Sequence, residues 1–549
     1  MKIRFCGATE GVTGSCHLLM TDKASVLMDC GQFQGGKSQD KLNFEEFPFN
    51  PEEVDAMILS HAHIDHCGRI PLLVKRGFRG SIYCTKATAD LLPIMLRDSG
   101  YIHEKEAEWA NKKAERKGLP LVEPLYTLKD AEESLRYIVP VLYDQRISVA
   151  DGIHVCFNDA GHILGSSETE IWVEQGEDET KIVFSGDLGQ NNRPILNNPT
   201  VIHHADYVIM ESTYGNRLHP KNAMSIDRLV EVVLRTVERG GTVVIPSFAV
   251  GRTQEMIYEF NKLYDENPET YGKLKDVPVY IDSPMANAAT EIFKKNTAVF
   301  NKDFQAYMDK GDHPLEFANL HFTQSTEESQ ALNGDSKPKI IISASGMCEA
   351  GRIRHHLKHN LWNPKSSIVF VGYQAEGTLG RKLINGAESV NLFGEEILVK
   401  AEIVNLEGFS GHADRDGLAE WISKFETHPN VFLVHGEQKA KEDFAEYIGE
   451  KYDIHPIVIT ENSEFELTPG KKPTGLATYP KVGYELDSDE VEALRNKISA
   501  ISTSIGDLLN TAAMETGRNI DPERLVEINN IIQELHNAEA NLREALLEK

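Results

Sequence analysis

The sequence predicts an α/β protein of two to four domains, built from large sheets with helices outside them. Three observations carry that expectation. The chain has 549 residues, more than one core supports when roughly 150 residues per domain is usual. At 41% hydrophobic and 26% charged its composition is that of a packed globular chain, which excludes disorder and fibrous repeats. Its apolar runs are short, β-branched and punctuated by glycine in the first half, and alternate with helical patterns in the middle.

In order, KIRFCGAT, SVLMDCG, DAMILSHAH, GSIYCT, IHVCFND, TEIWVEQ, KIVFSGD and DYVIMEST read as strands over the first 208 residues. Residues 86–118 read as a helix broken near Pro93 and near Gly100. From about residue 209 strands and helices alternate. GGTVVIPSF precedes a helix from Thr253, VPVYIDSPMA one from about Ala288, KIIISASG the segment GRIRHHLKH, and SSIVFVGYQAEGT a short helix. Apolar strands separated by helices make a parallel sheet with both faces covered. From 396 the strand texture returns (ILVKAEIVNL, NVFLVHGE, HPIVITE), with a helix near 415–427. The expected boundaries are therefore 1–208, 209–395, 396–475 and a helical extension over 476–549.

Charge and cysteine content narrow the function classes. With 57 basic and 84 acidic residues the net charge is −27, which argues against a general electrostatic grip on nucleic acid. A polyanionic substrate would have to be held locally, by metal ions, backbone N–H groups and a few arginines. No apolar run reaches the roughly 18 residues of a membrane helix. The N-terminus opens as a strand without a signal layout, and seven cysteines without a CxxC pair point to a reducing cytoplasm.

The chemistry is concentrated in Ser60-His61-Ala62-His63-Ile64-Asp65-His66, directly after the strand VDAMIL. His61, His63, Asp65 and His66 offer four imidazole and carboxylate donors within six residues, a set suited to zinc or another borderline divalent ion. Three further donors, His162, Asp187 and His435, each follow an apolar strand and stand beside glycine. A carboxylate offers two oxygens, so Asp187 can bridge two ions.

HAHIDH, with Gly161-His162, Gly186-Asp187 and Asp29 in LMDCG, resembles the metallo-β-lactamase fold, an αββα sandwich around a two-metal site. Glu211 in ESTYG, His412 in GFSGHAD and His435 in LVHGE extend the resemblance to the β-CASP branch, which includes RNase J and the cleavage and polyadenylation nuclease subunit. The resemblance covers residues 1–475 and implies a β-CASP domain inserted at 209–395. It implies that His61, His63 and His162 hold one zinc, that Asp65, His66 and His435 hold the other, and that Asp187 bridges them. Manganese is the alternative ion. It implies that Asp29 orients a ligand and that Glu211 and His412 form an acid pair, with Asp65 orienting the attacking water. It further implies a zinc-dependent ribonuclease of RNA processing or decay, endonucleolytic or 5′-exonucleolytic, because RNA-directed members carry the histidine matching His435.

Two loops of the insertion are candidate phosphate holders. Ser345, Gly346 and Met347 in SASGM, and Ser247 and Arg252 in PSFAVGR, combine small residues with a following helix. Gln374 in GYQAEGT is a weaker third. Over 476–549 the net charge is −7, which argues against RNA contact there, and the apolar stripe of Val491, Leu494, Ile498, Ile501, Ile505 and Leu508 suits core packing or a homodimer. Two alternatives compete: a hydrolase of small esters or thioesters on the same scaffold, and a non-catalytic RNA-processing scaffold. The first leaves the insertion, ESTYG and GHAD without a role; the second is opposed by a complete ligand set.

Overall fold

A computed structural model describes residues 1–476, except 177, 220–223, 267–271, 373, 375–376, 407–409 and 469. The expected C-terminal helices and the dimer placed on them lie outside the described residues.

Two sheets stack face to face. One has eight strands in the order 474–475, 464–466, 2–7, 16–20, 25–28, 56–58, 81–85, 138–141. The other has seven, in the order 457–458, 430–433, 207–210, 178–184, 167–175, 153–159, 147–150. Their facing sides share a core of Ile3, Phe5, Val26 and Met28 against Val155, Ile171, Ile182, Ile209 and Phe432. The outer face of the first sheet is covered by helices Ile70–Lys75 and Lys86–Lys117. That of the second is covered by Arg415–Ile422 and Gln438–Tyr452, through Leu418, Trp421, Phe444 and Ile448. The result is the expected αββα sandwich. A third, fully parallel sheet (320–322, 279–281, 339–343, 242–246, 367–370, 402–405) forms the inserted unit, with helices on both faces.

Every strand read in the sequence forms; Cys16–Met20, Ile138–Val141, Ile147–Ala150, Leu320–Phe322, Ser389–Leu392, Glu464–Glu466 and Thr474–Gly475 form in addition. The helix expected to break runs unbroken from Lys86 to Lys117. An interior proline costs about 3 kcal/mol, but the turns around Pro93 bury Leu91, Leu92, Met95 and Leu96, which outweighs it. Gly100 reflects a close approach: a Cβ there would stand 3.0 Å from the Thr127 carbonyl oxygen. The helix expected from Ala288 begins at Pro284, because Ser283 caps it by accepting the Ala286 N–H and proline suits the first turn. Strand Glu402–Asn405, read as part of the return to the first unit, instead pairs in parallel with Ser367–Phe370 of the third sheet.

Candidate metal centre

Parallel strands put their chain reversals at one edge, and the functional residues use that edge. Glu211, Asp187 and His435 follow three neighbouring parallel strands of the second sheet, Tyr207–Met210, Asp178–Phe184 and Asn430–Leu433. His162 follows Ile153–Asp159 of the same sheet. From the first sheet, Asp29 follows Ser25–Met28 and the His61–His66 loop follows its neighbour Ala56–Ile58. The two edges are locked together where Ser167 donates its N–H and hydroxyl to the Ser60 carbonyl, at 2.9 and 3.0 Å. Asp29 and His435 both hold left-handed backbone angles, φ 58° and 50°, which aspartate and histidine tolerate better than most residues. Gly31 leaves room for the ligand loop, since a Cβ there would fall 1.6 Å from the Asp65 carbonyl oxygen.

The donors converge. His61, His63, His162 and Asp187 form one cluster, Asp65, His66 and His435 a second, and Asp187, Glu211 and His412 a third, the donor atoms of each lying within 4.8 Å of one another. His63 Nδ1 stands 3.0 Å from His61 Nε2 and 3.2 Å from His162 Nε2. His66 Nε2 lies 3.1 Å from His435 Nε2 and 3.2 Å from Asp187 Oδ2. Asp187 is fully enclosed, and its oxygens face imidazole nitrogens, His66 Nε2 at 3.2 Å and His435 Nδ1 at 3.5 Å, without a well-aligned hydrogen bond to either. Buried carboxylates are otherwise satisfied, so a carboxylate ringed by imidazole nitrogens without a well-aligned hydrogen bond fits a cation shared by both clusters. Burial holds His61 and His162 well below the usual histidine range and His63 down to about 4, so these rings keep their lone pairs free at neutral pH.

Asp29 is the hub of a buried hydrogen-bond cluster. It accepts from His66 Nδ1 at 2.7 Å, from the Ser60 N–H at 2.9 Å and from the Ser15 and Ser60 hydroxyls at 3.0 Å each, which turns His66 Nε2 toward Asp187. His412 Nδ1 stands 3.2 Å from both Glu211 oxygens and 3.8 Å from Asp187 Oδ2. Glu211 is itself fixed by the N–H of Leu188 at 2.6 Å. Burial opposes a charge on His412, but Glu211 and then Asp187 override it and lift its pKa to about 9.

The candidate phosphate residues also gather. Their loops follow three neighbouring strands of the parallel sheet, 339–343, 242–246 and 367–370. Gln374 donates to the Gly346 carbonyl at 3.0 Å, Gly346 packs against Phe248, and the Ser247 N–H bonds the Ser343 carbonyl at 3.0 Å. Met347 accepts from the Gly380 N–H, and Ser345 exchanges hydrogen bonds with Ala350. Arg252 is buried and ion-paired with Glu255. Sequence reasoning missed Ser15, which supports Asp29, Thr213, whose hydroxyl lies 3.2 Å from His435 Nδ1, and Arg193, whose guanidinium reaches the carbonyls of His162 and Gly411. Thr213 lies inside ESTYG; Ser15 and Arg193 carry no local signal.

Fold and site together define a metal-binding hydrolase scaffold of two stacked sheets carrying a parallel α/β insertion. Family profiles match in agreement: the metallo-beta-lactamase superfamily over residues 9–224, the Beta-Casp domain over 253–383, and the Zn-dependent metallo-hydrolase RNA specificity domain over 396–459. The chain is 38% identical to Ribonuclease TTHA0252 of Thermus thermophilus over 440 residues, 80% of this chain and 94% of that one. It is 32% identical to an RNase J-like protein of Methanocaldococcus jannaschii, over 83% of this chain and 97% of that one. It is 31% identical to the transcription termination factor FttA of the same organism, over 82% and 69% respectively. The chain belongs to the β-CASP family of the metallo-β-lactamase superfamily. No described helix is long and apolar enough to cross a membrane.

Proposed function

We propose that this chain is a two-metal ribonuclease, with zinc as its resident ion, that hydrolyses RNA phosphodiester bonds in RNA processing or decay in the cytoplasm. The observation that carries the reading is Asp187, a buried carboxylate ringed by histidine nitrogens of the His61–His63–His162 and Asp65–His66–His435 clusters without a well-aligned hydrogen bond to them. RNA as the substrate rests on relatives named as ribonucleases and on the RNA specificity domain match.

When bound, two divalent ions supply charge neutralisation at the phosphate and acidify water toward neutral pKa. The protein does the rest. His61, His63 and His162 would hold one ion and Asp65, His66 and His435 the other, with Asp187 between them. Asp65, half-buried at the mouth, orients the attacking water and takes its proton. His412, kept protonated by Glu211, gives a proton to the departing 3′ oxygen. Ser247, Ser345, Gly346, Met347 and Gln374 ring the strand ends of the insertion and are assigned to backbone phosphates. Arg252 is no free anchor: it shares the Glu255 carboxylate with Arg193, and the three together carry one net positive charge.

The test is incubation with labelled RNA, with and without a chelator, using 5′-phosphorylated and 5′-blocked substrates. Metal-dependent cleavage supports the reading, and the product pattern separates internal from 5′-end attack. Thioester turnover without RNA cleavage, or RNA binding without cleavage, overturns it.

A further inference from the structure

The six residues after Asp187, Leu188 to Arg193, organise more of the site than their sequence suggests. From Asp187 onward, the Leu188 N–H bonds Glu211 and the Leu188 carbonyl accepts the Ala413 N–H at 2.7 Å. Gly189 forms an isolated antiparallel bridge with His412, and Gln190 donates to the Ser410 carbonyl at 2.9 Å. Arg193 closes the segment. One arm, Nη1, donates to the Gly411 carbonyl at 2.8 Å and to the His162 carbonyl at 3.2 Å; the other, Nη2, pairs with Glu255. Glu255 belongs to the first turn of helix Arg252–Glu266 in the insertion, and its second oxygen takes Arg252. The Arg193 backbone is tied to the insertion as well, through Asn301 at 3.2 Å. Gly411 is tightly packed, a Cβ there standing 3.0 Å from the His162 ring and 3.3 Å from the guanidinium.

We propose that Arg193, gripped by Glu255, is a positioning residue through which the β-CASP insertion sets His412 against Asp187 and the His162 loop; this rests on the ribonuclease reading above. Arg193 bonds two backbone carbonyls and a carboxylate, and touches no donor atom of the clusters. A planar guanidinium fixes all three directions at once, which an ammonium cannot. A misplacement of about 1 Å in a reacting group lowers turnover about 10²-fold.

The experiment compares wild type with Arg193→Gln, Arg193→Lys and Glu255→Gln. In metal-free protein, hydrogen exchange of peptides spanning 160–166 and 410–418 is expected to quicken in both the Arg193→Gln and Glu255→Gln variants. In metal-loaded protein, kcat on RNA is expected to fall about 10²-fold in Arg193→Gln, with metal content and KM close to wild type and partial recovery in Arg193→Lys. Unchanged exchange overturns the proposal whatever the activity. A change confined to KM also overturns it, by making Arg193 an RNA contact. Failure of wild type to cut RNA would instead sink the ribonuclease reading, while the exchange result stands by itself.

Discussion

His412 Nδ1 lies 3.2 Å from each oxygen of the Glu211 carboxylate, so the ring is held by a symmetric, charge-assisted contact. The pair is assembled across 201 positions of sequence, by a strand end and a loop that the Leu188–Gly189 backbone stitches together. A ring held this way is kept protonated.

That geometry sets a pH dependence. The pKa of His412 is raised, to about 9, so the acid form prevails below that value and is lost as pH rises through it. The alkaline limb of a kcat–pH profile should therefore fall near that value. Glu211→Gln should move the limb toward acid. His412→Ala should lower kcat by about 10²- to 10⁴-fold while metal content is unchanged; loss of metal would place His412 among the ligands.

Asp29 should matter through metal affinity. Asp29→Asn removes the anionic acceptor of His66 Nδ1, and such outer partners typically contribute 10- to 100-fold in affinity. Competition with a graded chelator should show weakening of about that size, with a melting temperature in excess metal close to wild type.

In the insertion, Asp282 is buried and accepts from His356 Nε2 at 2.5 Å, Arg352 at 2.7 Å, Ser329 at 2.5 Å and Thr323. Burial alone would raise its pKa, but hydrogen bonds from His356, Ser329, Thr323 and Arg352 hold it well below the usual carboxylate range. A depressed carboxylate stabilises the fold above its unfolded value, about 3.9, and loses that contribution as pH falls toward the folded value. Thermal melts should show a steep loss of stability below about pH 4, shallower in Asp282→Asn because that variant has no carboxylate to protonate at this position.

Gly189→Ala should fail structurally. A Cβ at Gly189 would lie 1.8 Å from the Gly161 carbonyl oxygen and 2.8 Å from the His162 N–H nitrogen, both backbone atoms that cannot swing aside. A large fall in melting temperature with loss of bound metal is expected. Gly240→Ala, in open space, should keep its metal and lose only the modest amount a left-handed angle demands.

The site was legible where one residue type in one local setting carries the chemistry. HAHIDH stands at a strand end, and His162, Asp187 and His435 each follow an apolar strand beside glycine, so strand reading and donor chemistry agreed. Other features are set by tertiary contact. Pro93 and Gly100 read locally as breaks, yet one is carried by buried leucines and the other serves a close approach to Thr127. Glu402–Asn405 has the texture of any strand, and only its partner, Ser367–Phe370, assigns it to the insertion. Arg193 binds Gly411 across 218 positions and Glu255 across 62, a relationship no local pattern encodes.

Elemental analysis of wild type and Asp187→Asn, run beside RNA cleavage on the same samples, bears most directly on the centre. Two divalent ions per wild-type chain, with loss of both ion retention and cleavage in Asp187→Asn, is the expected result. Cleavage that survives in a chain stripped of metal, or in Asp187→Asn at wild-type rate, would contradict it.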